Sequence, residues 1–343
     1  MLSLAGSSLR RPSPGVVLAG LVVGLLAAMC AAVALGPVAF SLPETLGALL
    51  AGNWHSTTDS TLPQRVIWSL RLPRTLLAAL AGGALAVSGT VLQALTRNPL
   101  ADPWILGISS GAGAGAVLVI AAGWSIGWAT IPLGAFSGTA LAFALVLLLA
   151  RHALAGQSGR LVLTGVAVTQ LLSALTSLIT FWKTDADTSR GVMFWLLGSF
   201  TQADWFQVQL CALVVVTIFL LIWWQARALD VLSFGAITAS SVGVNVGRTT
   251  LRLYSLTTLL TAVIVACCGA IGFIGLTVPH IARILAGRRH QQLLPVAMVC
   301  GAIVAVMADT LARTLLAPRE LPVGILTALL GVPVFLLLIA RPR

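Results

Sequence analysis

Apolar runs of about 20 residues recur along almost the whole chain, and they limit the folds that it can adopt. A run of this length crosses the hydrocarbon of a bilayer as one α-helix, in which every backbone hydrogen bond is satisfied within the segment. The sequence therefore predicts an all-α polytopic membrane protein, a single transmembrane domain over residues 1–343 with about ten transmembrane helices. The predicted spans are residues 15–40, 66–95, 104–122, 127–150, 160–182, 205–226, 250–270, 272–287, 293–317 and 323–341, of which the eighth is too short to be identified alone.

The N-terminal stretch MLSLAGSSLRRPSPG is similar to the basic start of a signal peptide. The apolar run that follows it has about 25 residues, whereas the core of a signal peptide has roughly 7–15. We therefore interpret residues 15–40 as a first span that is retained in the protein.

The basic residues are concentrated on one side of the predicted membrane. Charged residues make up 8% of the chain, and the formal net charge is +11. If the N-terminus is cytoplasmic and the spans alternate, most arginines fall on the cytoplasmic side, as the positive-inside rule requires. The basic excess therefore indicates a membrane face rather than a nucleic-acid surface, and both termini are predicted to be cytoplasmic. Most acidic residues fall outside, namely Glu44, Asp59, Asp185, Asp187, Asp204 and Glu320.

Two parts of the chain resemble each other in sequence, since residues 88–107 align with residues 268–287. We interpret residues 66–182 and 250–341 as two repeats. With an odd number of spans in each half, the repeats point in opposite directions, an arrangement typical of transport proteins. The alternative is a chance alignment of small residues in an apolar chain. The aligned pairs are Gly89 with Gly269, Pro99 with Pro279, Gly107 with Gly287, Pro132 with Pro295, Gly138 with Gly301 and Gly165 with Gly324.

The connector between the halves, residues 227–249, is too polar to span a membrane. We expect it to form one or two short helices on the cytoplasmic surface. An ordered cytoplasmic connector of this length is long for a simple loop, which favours a functional role over mere linkage. The alternative is an irregular loop.

The chain lacks the residues that an enzyme would need. Lys183 is its only lysine, so no phosphate-binding loop of the GxxxxGK[ST] type exists on this chain. The four histidines form no metal-ligand spacing, and the five cysteines lie in apolar runs without a CxxC pair. The glycines of GISSGAGAG are best interpreted as helix-packing positions. Energy for active transport must therefore come from an ion gradient or from a separate subunit.

An acid within a span is the test for an ion-gradient mechanism, because a charge in mid-span is costly and is usually retained for a function. Asp309 is such an acid, in the ninth predicted span, and Arg313 follows it on the same helical face. We predict that Asp309 and Arg313 form a buried ion pair. A single acid gives a proton relay little support.

Several ordered motifs point to one family. The stretches RLPRTLLAALAGG, TRNPLADPWILGISSGAGAG, FWLLGSF, GFIGLTVPHIARILAG and ELPVGILTALLGVPVF closely resemble permease subunits of binding-protein-dependent ABC importers for iron chelates and cobalamin. The resemblance covers about residues 15–341.

This resemblance implies a set of partners in the bacterial inner membrane. The permease would pair with a second copy of itself or a close paralogue, and two separate ATPase subunits would hold the ATP and magnesium, with no cofactor on this chain. A periplasmic binding protein would deliver the substrate. The connector would dock on the ATPase through Leu229, Leu232, Phe234, Gly235, Ser241, Gly243 and Val244.

The resemblance also assigns roles at the two ends of the pathway. Arg71, Arg74 and Arg313 would bind acidic residues on the lobes of the binding protein, since charge-assisted contacts orient a docking partner. The alternative is that these arginines only anchor helix ends. The cytoplasmic gate would include Asn98, Ser158 and Gly159, although Gly159 has no side chain with which to constrict a pathway. The outer mouth would be formed by Met193, Phe194 and Trp195.

The sequence thus favours the permease subunit of an ABC importer, a non-catalytic membrane protein that translocates a ferric siderophore. The segment 188–200 is the basis for preferring a siderophore. The alternatives are haem or cobalamin as the substrate, and, from other classes, an ion-gradient transporter or a membrane enzyme.

Overall fold

A computed structural model describes residues 13–36, 40–51, 61–124, 129–150, 158–183 and 186–340, and all regular structure in these ranges is helical. The predicted all-α fold is therefore confirmed. The helices are α1 Pro14–Ala34, α2 Leu42–Leu50, α3 Leu62–Val66, α4 Leu72–Thr96, α5 Ile108–Ala121, α6 Thr130–Leu149, α7 Ser158–Lys183, α8 Ala186–Leu196, α9 Trp205–Trp224, α10 Ala226–Ser233, α11 Ala236–Ser241, α12 Val246–Cys268, α13 Ile274–Ala286, α14 His290–Thr314 and α15 Val323–Ala340. A π-helical turn, Ile67–Arg71, joins α3 to α4, and a 3-10 turn, Pro103–Leu106, precedes α5.

Among the described residues, 7 helical segments are long and apolar enough to cross a membrane by length and composition. They are α1, the continuous segment from α3 to α4, α6, most of α7, α9, α12 and α14. The shorter apolar helices α5, α13 and α15 overlap the remaining predicted spans. The eighth predicted span, α13, has only 13 residues.

One helix arises from a local signal that the apolar pattern does not contain. Helix α2 begins with a capping box, in which the Ser41 hydroxyl accepts from the Glu44 N–H and the Glu44 carboxylate accepts from the Ser41 N–H. The hydrogen bonds from Ser41 hold the pKa of the Glu44 carboxyl below its ordinary value. Helix α1 ends at Ala34, earlier than the predicted end at residue 40.

Helices α4 and α14 form the centre of the bundle, and most of their side chains are buried. The two helices approach closely at Gly82 and Gly301, where a Cβ added to either glycine would overlap the carbonyl oxygen of the other. Small residues at a helix crossing allow this approach, and helix association in lipid depends on such van der Waals packing. The outer helices α6 and α7 expose most of their apolar side chains.

Two irregular segments meet deep inside the bundle. The break between α12 and α13 lies beside the middle of α4, since a Cβ on Gly275 would be 3.1 Å from the carbonyl oxygen of Leu85. The same Cβ would be 3.0 Å from the ring of Pro103, so the segment after α4 turns back into the bundle before α5 begins. Irregular backbone is tolerated at such depth where protein surrounds it.

The crossing of α4 and α14 is sensitive to one methyl group. We expect Gly82→Ala to destabilise the protein by about 1–3 kcal/mol, because the added Cβ must separate two close-packed helices. Thermal unfolding in detergent, followed by tryptophan fluorescence, measures the effect. The matched control is Gly20→Ala in α1, where an added Cβ meets nothing within 4 Å. Equal melting temperatures for the two variants would contradict this account of the crossing.

Candidate functional site

Polar side chains gather at both ends of the central helices α4 and α14. We call the outer group, formed by Arg71, Arg74, Asp309, Arg313 and Glu320, the outer cluster. The group at the opposite ends of these helices lines a cavity, which we call the cytoplasmic cavity after the side that the sequence predicts for it.

Arg74 is the centre of the outer cluster. Its Nε donates to Oδ1 and Oδ2 of Asp309 at 2.9 and 3.1 Å, and its Nη1 lies 2.9 Å from Oε2 of Glu320. The Asp309 side chain is 1% exposed, whereas the Glu320 side chain is 29% exposed. One guanidinium therefore joins α4, α14 and the turn before α15.

The other two arginines of the cluster bind the end of α1. Arg313 Nε lies 3.1 Å from Oδ2 of Asp309, and its Nη2 donates to the carbonyl oxygen of Ala32 at 2.9 Å. Arg71 Nη1 donates to the carbonyl oxygens of Val33 and Ala34 at 2.8 and 2.9 Å. The last carbonyls of a helix have no partner within it, so cationic donors at this position stabilise the end of α1.

The sequence predicts docking contacts for Arg71, Arg74 and Arg313, and the structure gives all three intramolecular partners. They are 5%, 7% and 3% exposed, respectively. Three guanidinium groups face two carboxylates, so the cluster has one excess positive charge. Arg74 Nη2 has no hydrogen-bond partner among the described residues. The docking of a binding protein on these arginines stays a prediction. An additional carboxylate would balance the excess positive charge of the cluster.

The predicted outer mouth lies next to this cluster. The Thr201 hydroxyl donates to Oε2 of Glu320 at 3.0 Å, which ties the turn between α8 and α9 to Arg74. Met193 and Phe194 are exposed, and Met193 lines a cavity of about 510 Å³ between α7 and α8. Trp195 differs, because it is half-buried and packs against a small core cluster.

The predicted gate residues are only partly described. The side-chain oxygen of Asn98 accepts from the N–H of Leu100 at 2.9 Å, and its carbonyl accepts from the N–H of Ala101. Asn98 therefore shapes the turn after α4. Ser158 and Gly159 begin α7, and the Ser158 side chain lies outside the described residues.

The connector forms two short helices, α10 and α11, as the sequence predicts. Leu229 and Leu232 were expected to contact a partner, yet both are buried and hold α10 on the bundle. The exposed large apolar residues of the connector are Phe234, Ile237 and Val242, which are 77%, 86% and 62% exposed. Of these three, only Phe234 is among the residues predicted for docking.

The other predicted connector residues shape its turns. Gly235 has a φ of +115°, a backbone conformation that favours glycine. Gly243 has a φ of +84° in the turn after α11. Ser241 is exposed, and Val244 is half-buried against the core.

A contact that sequence reasoning missed attaches the connector to α14. The Asp230 carboxylate accepts from the backbone N–H of His290 at 2.9 Å, and its Oδ1 lies 2.7 Å from Nδ1 of the same residue. Asp230 thereby binds the first residue of α14, where a carboxylate is favoured by the helix dipole. Nothing in the spacing of these residues indicates the contact.

The cytoplasmic cavity has a volume of about 960 Å³ and lies between the end of α4, α10 and the link from α13 to α14. Its charged lining consists of Arg97, Arg283, Arg288 and Arg289, together with the paired Asp230 and His290. Within the described ranges, no group of three or more His, Cys, Asp or Glu side chains could hold a metal ion.

Comparison with known proteins gives concordant matches. The FecCD transport family matches residues 24–341. The hemin transport system permease protein of Yersinia pestis is 42% identical over 295 residues, which cover 84% of this chain and 87% of that protein. A vitamin B12 import system permease protein of Escherichia coli is 40% identical over 305 residues, covering 86% and 91%. A solved structure described as an inward-facing ABC transporter of the metal-chelate type has a TM-score of 0.82 at 32% identity, covering 96% of this chain and all of that one.

The outer cluster depends on the charge of Asp309. We expect Asp309→Asn to destabilise the protein by about 3–5 kcal/mol, because two buried arginines lose their shared counter-charge. Glu320→Gln should cost about 1 kcal/mol or less, since the Glu320 carboxylate is partly exposed. Thermal unfolding in detergent measures the melting temperatures of both variants, and that of Asp309→Asn should be the lower.

The control for these variants is Glu44→Gln, which removes a carboxylate from the exposed start of α2. A melting temperature for Asp309→Asn equal to that of this control would show that the outer cluster is not held by Asp309.

Proposed function

The chain belongs to the FecCD transport family, and from this premise we propose that it is the permease of an ABC importer for haem or cobalamin. The observation that carries the substrate class is the identity of 42% and 40% to a hemin and a vitamin B12 permease over more than four-fifths of the chain. Family membership makes the chain a multi-pass, non-catalytic transport subunit. The sequence-based preference for a siderophore rests on the segment 188–200 alone. The relatives favour the alternative substrates, haem and cobalamin.

We further propose a topology of ten spans with two inverted repeats and cytoplasmic termini, in the bacterial inner membrane. The short helices α5, α13 and α15 complete the ten. Support comes from contacts between residues that the alternation assigns to the same side. Arg74 meets Glu320 at the outer end, and Asp230 meets His290 at the cytoplasmic end.

The connector is the proposed docking surface for the ATPase. Phe234, Ile237 and Val242 form an exposed apolar patch on a segment that is otherwise attached to the bundle by Leu229 and Asp230. A rigidly attached apolar patch can transmit a displacement, whereas a loose loop could not. One ATPase would bind each permease, and exposed apolar faces of α7 and α15 are available to a second permease copy and to lipid.

The outer cluster is the proposed contact for a periplasmic binding protein. Its excess positive charge would be balanced by a carboxylate on the binding protein. The adjacent mouth at Met193, Phe194 and Trp195 would receive the substrate, and the turn at Asn98 with the start of α7 would close the cytoplasmic end.

An ion-gradient transporter is not favoured by the geometry. Asp309, the acid that such a mechanism would use, contacts Arg74 and Arg313. A carboxylate held by two guanidinium groups is poorly suited to binding and releasing a proton.

Reconstitution tests the substrate class. The permease, its ATPase and its binding protein are placed in proteoliposomes, and uptake of haem, cobalamin and a ferric siderophore is compared. We expect ATP-dependent uptake of haem or cobalamin that requires the binding protein. Uptake of the siderophore with neither macrocycle would contradict the proposed substrate, and uptake driven by a proton gradient without ATP would contradict the importer.

The ATPase contact is tested at Phe234. We expect Phe234→Asp to abolish co-purification of the ATPase and ATP-driven uptake, because a charge replaces an apolar contact at the centre of the docking patch. The thermal stability of the permease alone should stay unchanged, since Phe234 is exposed. Leu50→Asp is the matched control, because Leu50 is 86% exposed on α2 at the outer side. Retention of the ATPase by Phe234→Asp would contradict the docking surface.

A further inference from the structure

Four arginines line the cytoplasmic cavity, and they have no acidic partner among the described residues. They are Arg97, Arg283, Arg288 and Arg289. The one carboxylate of the lining, on Asp230, is already bound to His290. Arg283 is half-buried and the other three arginines are exposed, so the like charges gathered in this cavity repel each other with partial screening by water. An anion bound among the guanidinium groups would remove that cost.

The cavity also contains a buried hydrogen-bond acceptor. Gln93 lies about one turn deeper in the bundle than Arg97, is 3% exposed, and its Oε1 has no partner among the described residues. The Gln93 Nε2 makes long contacts of 3.4 and 3.3 Å with the carbonyl oxygens of Gly275 and Leu276. These contacts hold the amide weakly, and a donor that entered the cavity beside Gln93 would satisfy its buried oxygen.

These two observations restrict the chemistry of the occupant. A carboxylate from a docked protein would satisfy the arginines but has no proton to donate to Gln93. A phosphate group with a neighbouring hydroxyl offers both, and guanidinium groups bind phosphate oxygens in a two-pronged geometry. A cavity of about 960 Å³ has room for such a headgroup. Basic pockets between helices at the cytoplasmic side are suited to anionic lipid.

We propose that this cavity is a binding site for a phosphate-bearing anion that carries a hydroxyl donor. Two sources share this chemistry, namely the headgroup of phosphatidylglycerol and free inorganic phosphate. The site borders the proposed ATPase surface at Phe234, so its occupant would sit beside the connector. The proposal does not depend on the imported substrate.

The experiment uses the full-length permease, purified and delipidated in an uncharged detergent. Its melting temperature is measured with phosphatidylglycerol against phosphatidylcholine of the same acyl chains, and with sodium phosphate against sodium chloride at equal ionic strength. We expect the melting temperature to rise with the concentration of phosphatidylglycerol, of sodium phosphate or of both. It should not rise with phosphatidylcholine or sodium chloride. A rise with phosphatidylglycerol alone identifies the lipid, and a rise with inorganic phosphate alone identifies the free anion.

The variant Arg283→Gln/Arg288→Gln should weaken the apparent affinity by about tenfold or more, equivalent to about 1.4 kcal/mol. The matched control is Arg248→Gln/Arg252→Gln, which removes two exposed cytoplasmic charges outside the cavity. If the first variant fails to fold, Arg283→Lys/Arg288→Lys keeps the charges and should still weaken binding through the lost guanidinium geometry.

Three results would overturn the proposal. One is no rise with either phosphate source, and another is an equal loss in the cavity and control variants, which would indicate a general charge effect. The third is loss of the phosphatidylglycerol effect when the ATPase is bound, which would mean that an acidic segment of the ATPase occupies the cavity. All three are independent of transport, so they do not bear on the proposed importer.

Discussion

The carboxylate of Asp309 organises the outer half of the protein. It holds Arg74 of α4 and Arg313 of α14, and these arginines reach Glu320 and the end of α1. In a membrane protein the apolar surfaces of helices do not distinguish one neighbour from another, because lipid is equally apolar. A buried ionic contact between named positions does make that distinction. The arrangement of α1, α4 and α14, on which the other helices pack, therefore depends on a few polar side chains.

Close packing at glycines also fixes how the helices are placed. Gly82 and Gly301 bring the backbones of α4 and α14 together, and Gly275 brings the start of α13 against the middle of α4. The irregular backbone around Pro103 can lie at this depth only because these close approaches surround it with protein. The same architecture separates two chemically different ends, an outer cluster with paired charges and a cytoplasmic cavity with excess arginines.

Much of the fold follows from the sequence because the bilayer makes helix formation nearly obligatory for an apolar run. The contact of Asp309 with Arg313 also follows, since residues four apart share a helix face. The pairing of Arg74 with Asp309 does not, because it depends on how two distant helices cross. For the same reason, the pattern of the connector could not reveal that Leu229 faces the bundle while Phe234 faces outward. Helix α2 could have been predicted from the sequence, because Ser41 and Glu44 have the spacing of a capping box.

Helix α14 runs between the two ends of the molecule, with Pro295 in its second turn. Asp230 of the connector binds its first residue, and Asp309 lies near its last turn. At 1.5 Å per residue its 25 residues extend roughly 37 Å, about the thickness of the membrane. From Pro295 to Thr314 the helix continues without a further proline, and a helix of this length resists a shift of one end relative to the other along its axis. A displacement of the connector would then reach the outer cluster along the axis of α14, without a relay of intermediate side chains.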